Sequence, residues 1–274
     1  MPFTLLKGHF KPEVGVPDGD SVRFRADNLA LWNKLEGRAV AIGTGVETLG
    51  TAQLRLEGID AIEKGAIQPL ATEARDSLLA LLGYEDDVTP EPRGFVLARM
   101  TDDQSRRPIA FAFAGETDRP DGDDVFLDIP LLRQSANYRQ VEAGFAYPLY
   151  YNTLFASLRN AFTLAVGAAK LQGVGYWPTD ATATGVTVRS SADLDTLSPI
   201  WPKLWRRLQE YFRDADSLAG FIDFLEAKDE RIDVMSIVEE RGLQDLVEVQ
   251  GDTVRLLEPP ENLRVVGKAG QRRR

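Results

Sequence analysis

Three short segments hold the side chains of this chain best suited to chemistry: Asp18-Gly19-Asp20, the run from Arg55 through Asp60 to Glu63, and Asp103-Gln104-Ser105-Arg106-Arg107. Together they offer four aspartates, two glutamates and three arginines on stretches that read as turns and strands. Carboxylate oxygens hold hard divalent cations, and guanidinium forks grip phosphodiesters through paired hydrogen bonds. That combination suits metal-assisted phosphodiester hydrolysis, where substrate charge must be neutralised before water can attack. Singly, each segment also has a structural reading. Asp-Gly-Asp makes turns, Arg55 can serve an ordinary ion pair, Asp60 and Glu63 can mark a solvated strand end, and Arg106-Arg107 can sit in a solvated hairpin tip. Order and internal spacing are what join them.

The rest of the composition narrows the field. There is no cysteine, so disulfides, thiolate metal sites and cysteine nucleophiles are excluded. His9 is the only histidine, which rules out a multi-histidine metal centre and leaves a serine–histidine triad one residue to build on. Its neighbours Gly8 and Phe10 make it an ordinary early-strand residue. The 274 residues suffice for one large domain or two ordinary ones, and 43% hydrophobic with 27% charged residues is a globular balance. A net charge of -10 argues against nonspecific coating of nucleic acid, although a bound cation and local arginines can dominate the field of one cleft. The first residues show no basic-then-apolar pattern and no apolar run is long enough to span a bilayer, so no membrane partner and a cytoplasmic address are the expectation.

The elements that must position the three segments follow from patterning. A first strand is expected within residues 3–15, a turn at Pro17-Asp18-Gly19-Asp20, an alternating strand over 21–26, a short helix between Leu29 and Leu35, and a strand over 52–60. Gly43-Thr44-Gly45 lacks the spacing of a phosphate cradle and reads as a hairpin tip. Pro69 and Gly83 bracket a helix from about residue 68 to 82. Residues 94–100 and 108–114 form a hairpin whose tip carries Arg107. Helices follow near 131–141 and over 153–172, the latter ended by Gly173. Beyond a Thr/Ser/Asp-rich stretch at 179–192, helical patterns are read over 194–212, 217–228 and 233–241, then a hairpin turning through Gln250-Gly251-Asp252, then a basic tail over 267–274. Trp201, Trp205, Tyr211 and Phe212 read as core or interdomain packing. The fold class expected is α+β: a five-stranded OB-type β-barrel with associated helices over 1–180, and a smaller, mainly helical C-terminal domain with a β-hairpin over 181–274.

Over roughly residues 5–180 the chain resembles the staphylococcal nuclease (thermonuclease-like) family. Asp18-Gly19-Asp20-Ser21-Val22 is similar to the family's D-G-D-T/S-V turn, and Arg55, Asp60 and Glu63 reproduce its R-x4-D-x-x-E segment. Asp103 to Phe111 resembles its D-x-x-G-R-x-L-A-Y hairpin, Val141 to Ala146 its V-x-x-G-L-A segment, and 168–177 its closing helix ending in G-x-W. The resemblance implies a Ca²⁺-dependent nuclease acting on DNA or RNA with little sequence preference. Asp20, Asp60 and the backbone carbonyl of Ala61 would be metal ligands, and Glu63 would orient or deprotonate the attacking water. Arg55 and Arg107 would bind the scissile phosphate and Tyr150 would contact the nucleotide. The sequence departs from the pattern at four places: Ala61 for Thr, Ile62 for Pro, Ser105 for an aromatic residue and Arg106 for Gly. The rival expectation is a barrel without turnover that binds nucleic acid or a protein partner. Residues 181–274 are expected to dimerise, dock a protein, gate the cleft or form a plain accessory fold.

Overall fold

Phe3–Phe10 (β1) buries apolar side chains on both faces, Phe3 and Leu5 on one and Leu6 and Phe10 on the other, and this strand is the axis of the main sheet. The computed structural model describes residues 2–85 and 88–267; the basic tail from 268 onward lies outside the described residues. Two compact units are present, one formed by Met1–Glu57 and Glu73–Glu142, the other by Gly58–Thr72 and Ala143–Arg274. The sequence boundary read near residue 180 falls inside the second unit.

In the first unit, β1 is joined by Arg23–Ala26 (β2), Ala52–Gln53 (β3) and Arg55–Leu56 (β4). Ile59–Asp60 (β5) belongs to the second unit, and the hairpin Arg93–Thr101 (β6) and Pro108–Ala114 (β7) returns to the first. The sheet runs β3-β2-β1-β6-β7-β4, with Asp124–Val125 (β8) added beside β1. The two ends of this six-strand path, β3 and β4, are separated in the chain by Leu54 alone, so the sheet nearly closes into a barrel. Both faces bury apolar side chains: Phe10 and Phe24 meet with ring centroids 5.2 Å apart, and Leu5, Leu6, Leu54 and Phe111 are fully buried. The single strand expected over 52–60 is three short strands, because Glu57 and Gly58 turn the chain and Gly58 takes a φ of +82° that a β-branched residue would resist.

Helices complete the unit. Leu70–Leu81 (α1) forms as the Pro69 and Gly83 signals require, and Gly83 has a φ of +82°. The helix expected near 131–141 is two: Ile129–Leu132 (α2), capped by the Asp128 carboxylate on the Leu131 amide at 2.9 Å, and Ala136–Glu142 (α3). From α3, two fully buried amide side chains fasten the barrel. Asn137 donates to the carbonyls of Glu57 and Ala110, both at 3.0 Å, and accepts from the Ala112 amide at 3.0 Å. Gln140 donates to the carbonyls of Gly19 and Ala74 at 2.9 Å and accepts from the Ser77 hydroxyl at 2.6 Å.

The second unit is mixed α+β rather than mainly helical. Here β5 pairs with Tyr147–Pro148 (β9), and Tyr150–Tyr151 (β10) edges a sheet in the order β10-β16-β12-β13, in which β12 is Arg231–Val234, β13 Glu239–Gly242 and β16 Leu263–Val265. Val186–Thr187 (β11), Val247–Gln250 (β14) and Thr253–Leu256 (β15) form a three-stranded sheet that includes the expected Gly251 hairpin. Ala156–Gln172 (α4), Pro202–Tyr211 (α5) and Phe221–Lys228 (α6) are its α-helices among the described residues. The helix expected over 233–241 is corrected to the β12–β13 hairpin: Ile232 and Val234 alternate inward, each fully buried, a period-2 pattern hidden in a short segment. The helix expected over 194–212 is cut to α5 because Pro199 and Pro202 disfavour helical backbone before them, and Pro202 then opens the helix from its first turn. Among the described residues no helix is long and apolar enough to cross a membrane.

Two stability outcomes follow. Asn137→Ala leaves the Ala112 amide and the Glu57 carbonyl buried without this partner, so urea denaturation should show a loss of at least about 2 kcal/mol; a loss under ~0.5 kcal/mol would contradict the fastening role. Glu57, 8% exposed, has its carboxyl pushed up to about 7 by burial, against the opposing pull of Arg55 and Arg99. Because the folded state holds this proton more tightly than the unfolded chain, stability present below pH 4.5 is lost as pH rises through about 7. The drop should be on the order of 3 kcal/mol between those limits and absent in Glu57→Gln.

Candidate functional site

Asp20, Arg55 and Arg107 lie in the first unit; Asp60, Ala61, Glu63 and Tyr150 lie in the second. In the first, the Asp18-Gly19-Asp20 turn is held from both sides. The Asp20 amide donates to Asp18 Oδ1 at 3.2 Å, and the Asp20 carbonyl accepts from the Leu56 amide at 3.0 Å, which ties this turn to the strand that carries Arg55. Strand β4 pairs in parallel with β7, Arg55 opposite Ile109, which places Arg55 two positions from the register of Arg107. The barrel thus brings the Asp20 turn and both arginine-bearing strand ends together.

Arg55 donates to Asp102 Oδ2 at 3.1 Å. Burial works to raise the Asp102 carboxyl, but the amides of Ser105 and Gln104 and the Arg55 charge outweigh it and hold the group below the usual carboxylate range. Arg107 donates from Nε to the Ser105 hydroxyl at 3.1 Å, and no carboxylate pairs with it among the described residues. Arg106, which stands where the resembling family has Gly, takes a φ of +57°. The hairpin therefore keeps the glycine backbone without the glycine, closed by the Arg106 amide on the Asp102 carbonyl at 2.9 Å.

In the second unit, Asp60 is 3% exposed on β5, and Ala61 and Ile62 beside it are also buried. Both Asp60 oxygens and one Glu63 oxygen are taken by a residue the sequence reading missed. Arg206 donates to Asp60 Oδ1 from Nη1, to Asp60 Oδ2 from Nη2 and to Glu63 Oε1 from Nη1, each at 2.8 Å. Burial opposes the charge on Arg206, but Asp60 and then Glu63 overcome it, so its pKa is raised. Helix α5 delivers this side chain because its start is pinned: Trp201 Nε1 donates to the Pro148 carbonyl at 3.2 Å, and Pro148 is on the strand that pairs with β5. On the same helix, Lys203 and Arg207 both bind Glu230, at 2.6 Å from Nζ and from Nε. Burial alone would raise Glu230, yet Arg207 and Lys203 bring it down to about 2. In sequence, Arg206-Arg207 beside Trp201 and Trp205 is only an amphipathic helix, and no local spacing links Arg206 to Asp60 across 146 positions.

Tyr150, expected to contact a nucleotide, is fully buried with its hydroxyl 3.1 Å from that of Thr163. The expected calcium ligands do not fit a cation as they stand. Among the described residues no group of three or more acidic or histidine side chains converges to hold a metal ion. More directly, both oxygens of Asp60 already face a guanidinium, and a divalent cation on the same oxygens would meet it at repulsive range. No protein-family model matches this chain, and no curated protein matches it. Arg106→Gly is expected to raise stability by up to about 1 kcal/mol, relief of left-handed strain being offset by added chain entropy; destabilisation in urea titration would show that the side chain holds the tip.

Proposed function

We propose that the chain is a nuclease of the staphylococcal nuclease-like kind, built on a five-stranded OB-type barrel, that hydrolyses phosphodiester bonds of DNA or RNA with little sequence preference. The observation that supports this most is the placement of Arg55 and Arg107 on paired strand ends, with the Asp20 turn hydrogen-bonded beside them. Two guanidinium groups on neighbouring strands can neutralise a phosphate's non-bridging oxygens, and Arg107 has no competing carboxylate among the described residues. Glu63 is the carboxylate suited to take a proton from water, provided that Arg206 releases it.

A second reading, binding of nucleic acid or a protein partner without turnover, is favoured by one observation: Arg206 neutralises Asp60 and Glu63 together. A digestion assay on plasmid DNA and single-stranded RNA, with added Ca²⁺ and with chelator, separates the two. The expected result is metal-dependent degradation, reduced by about 10²-fold or more in Glu63→Ala and Arg107→Ala. Retained binding without degradation would select the second reading. Unchanged cleavage in either purified, folded variant would remove the site assignment.

A further inference from the structure

The geometry points to Arg206 as a built-in cation that occupies the Asp60–Glu63 pair and shuts it to Ca²⁺ until the guanidinium leaves. The inference rests on the proposed role of these carboxylates and concerns the regulation of that site. Three hydrogen bonds of 2.8 Å satisfy both Asp60 oxygens and one of Glu63. Asp60 is nearly inaccessible, so its charge cannot be left to water and some cation must stand against it. Arg206 is placed for that by structure rather than by chance reach. Helix α5 is held at its first residues by Trp201, whose amide donates to the Thr182 hydroxyl at 2.9 Å and whose indole donates to the Pro148 carbonyl. One turn along, Lys203 and Arg207 are locked on Glu230. The guanidinium and a hard cation need the same oxygens, so their binding is mutually exclusive.

Removing Arg206 therefore turns a satisfied pair into a demand for another cation. In calorimetric titration with CaCl₂, Arg206→Gln should bind Ca²⁺ at least about tenfold more tightly than the wild-type chain. Without Ca²⁺ the variant should melt below wild type, and millimolar Ca²⁺ should restore much of that loss while leaving wild type nearly unmoved. Adding Asp60→Asn to the variant should abolish the Ca²⁺ response. Equal affinities in the two proteins, or a folded variant with no Ca²⁺ response, would overturn the inference. If Arg206→Gln does not fold, wild type decides: Ca²⁺ binding tighter than about 0.1 mM that Asp60→Asn removes would overturn it, and weaker binding or none supports it. The nuclease reading stands or falls separately. A variant that gains Ca²⁺ but cleaves nothing keeps the built-in cation and sinks the nuclease, while a wild-type chain that cleaves in Ca²⁺ and binds it as tightly as the variant does the reverse.

Discussion

A carboxylate withdrawn from water must find positive charge or donors, and for Asp60, at 3% exposure, Arg206 supplies both. It does so with a two-pronged contact and extends the same guanidinium to Glu63. Much of the second unit's local order serves that contact. Tyr147, opposite Asp60 in the strand pair, donates its hydroxyl to Asp180 at 2.7 Å; Asp180 also accepts from the Thr182 hydroxyl at 2.6 Å; and Thr182 accepts from the Trp201 amide at the head of α5. Burial, and then the facing Asp180 charge, push the Tyr147 phenol well above its ordinary range, so it stays a donor. Strand, turn and helix are thereby held in the relation that puts a guanidinium on β5.

The first unit solves a different problem. A barrel path that ends in two-residue strands has too few ladder hydrogen bonds to fix its own closure, since β3 and β4 contribute two residues each. Side-chain amides supply what the backbone does not. Asn137 reaches both β7 and the end of β4, and Gln140 links the Gly19 carbonyl to α1. Both are fully buried, so each hydrogen bond is made where water cannot replace it. The Asp20 turn and the Arg55 strand are thus set by residues 80 or more positions away.

This division explains what was legible in the sequence. Elements governed by local chemistry could be read: β1, the β6–β7 hairpin, α1 between Pro69 and Gly83, α4 ended by Gly173, and the turn at Gly251 all follow from periodicity or from residues with special backbone demands. The mixed α+β class and a barrel-like sheet were also within reach. The 233–241 segment was not, because four-residue strands give too few periods to separate alternation from a helical stripe. The burial of Tyr150 was not legible for a similar reason, since an aromatic side chain near a site does not declare which way it faces. Arg206 was out of reach altogether, as its function is defined by a partner 146 positions distant.

Between the two arginines of the barrel, charge is distributed unequally. Asp102 takes Arg55 at 3.1 Å while accepting the amides of Gln104 and Ser105 at 2.7 and 2.9 Å, so one carboxylate fixes both the arginine and the tip of the β6–β7 hairpin. Its lowered pKa means that this link persists as pH falls through the ordinary carboxylate range. An anion that draws on Arg55 must compete with Asp102, whereas one that draws on Arg107 displaces only the Ser105 hydroxyl. Arg107 is therefore the less encumbered guanidinium of the two, and Arg55 the more rigidly aimed. In a chain of net charge -10, any attraction for an anion has to be local, and the hairpin tip is one place where the barrel leaves a guanidinium without a carboxylate partner among the described residues.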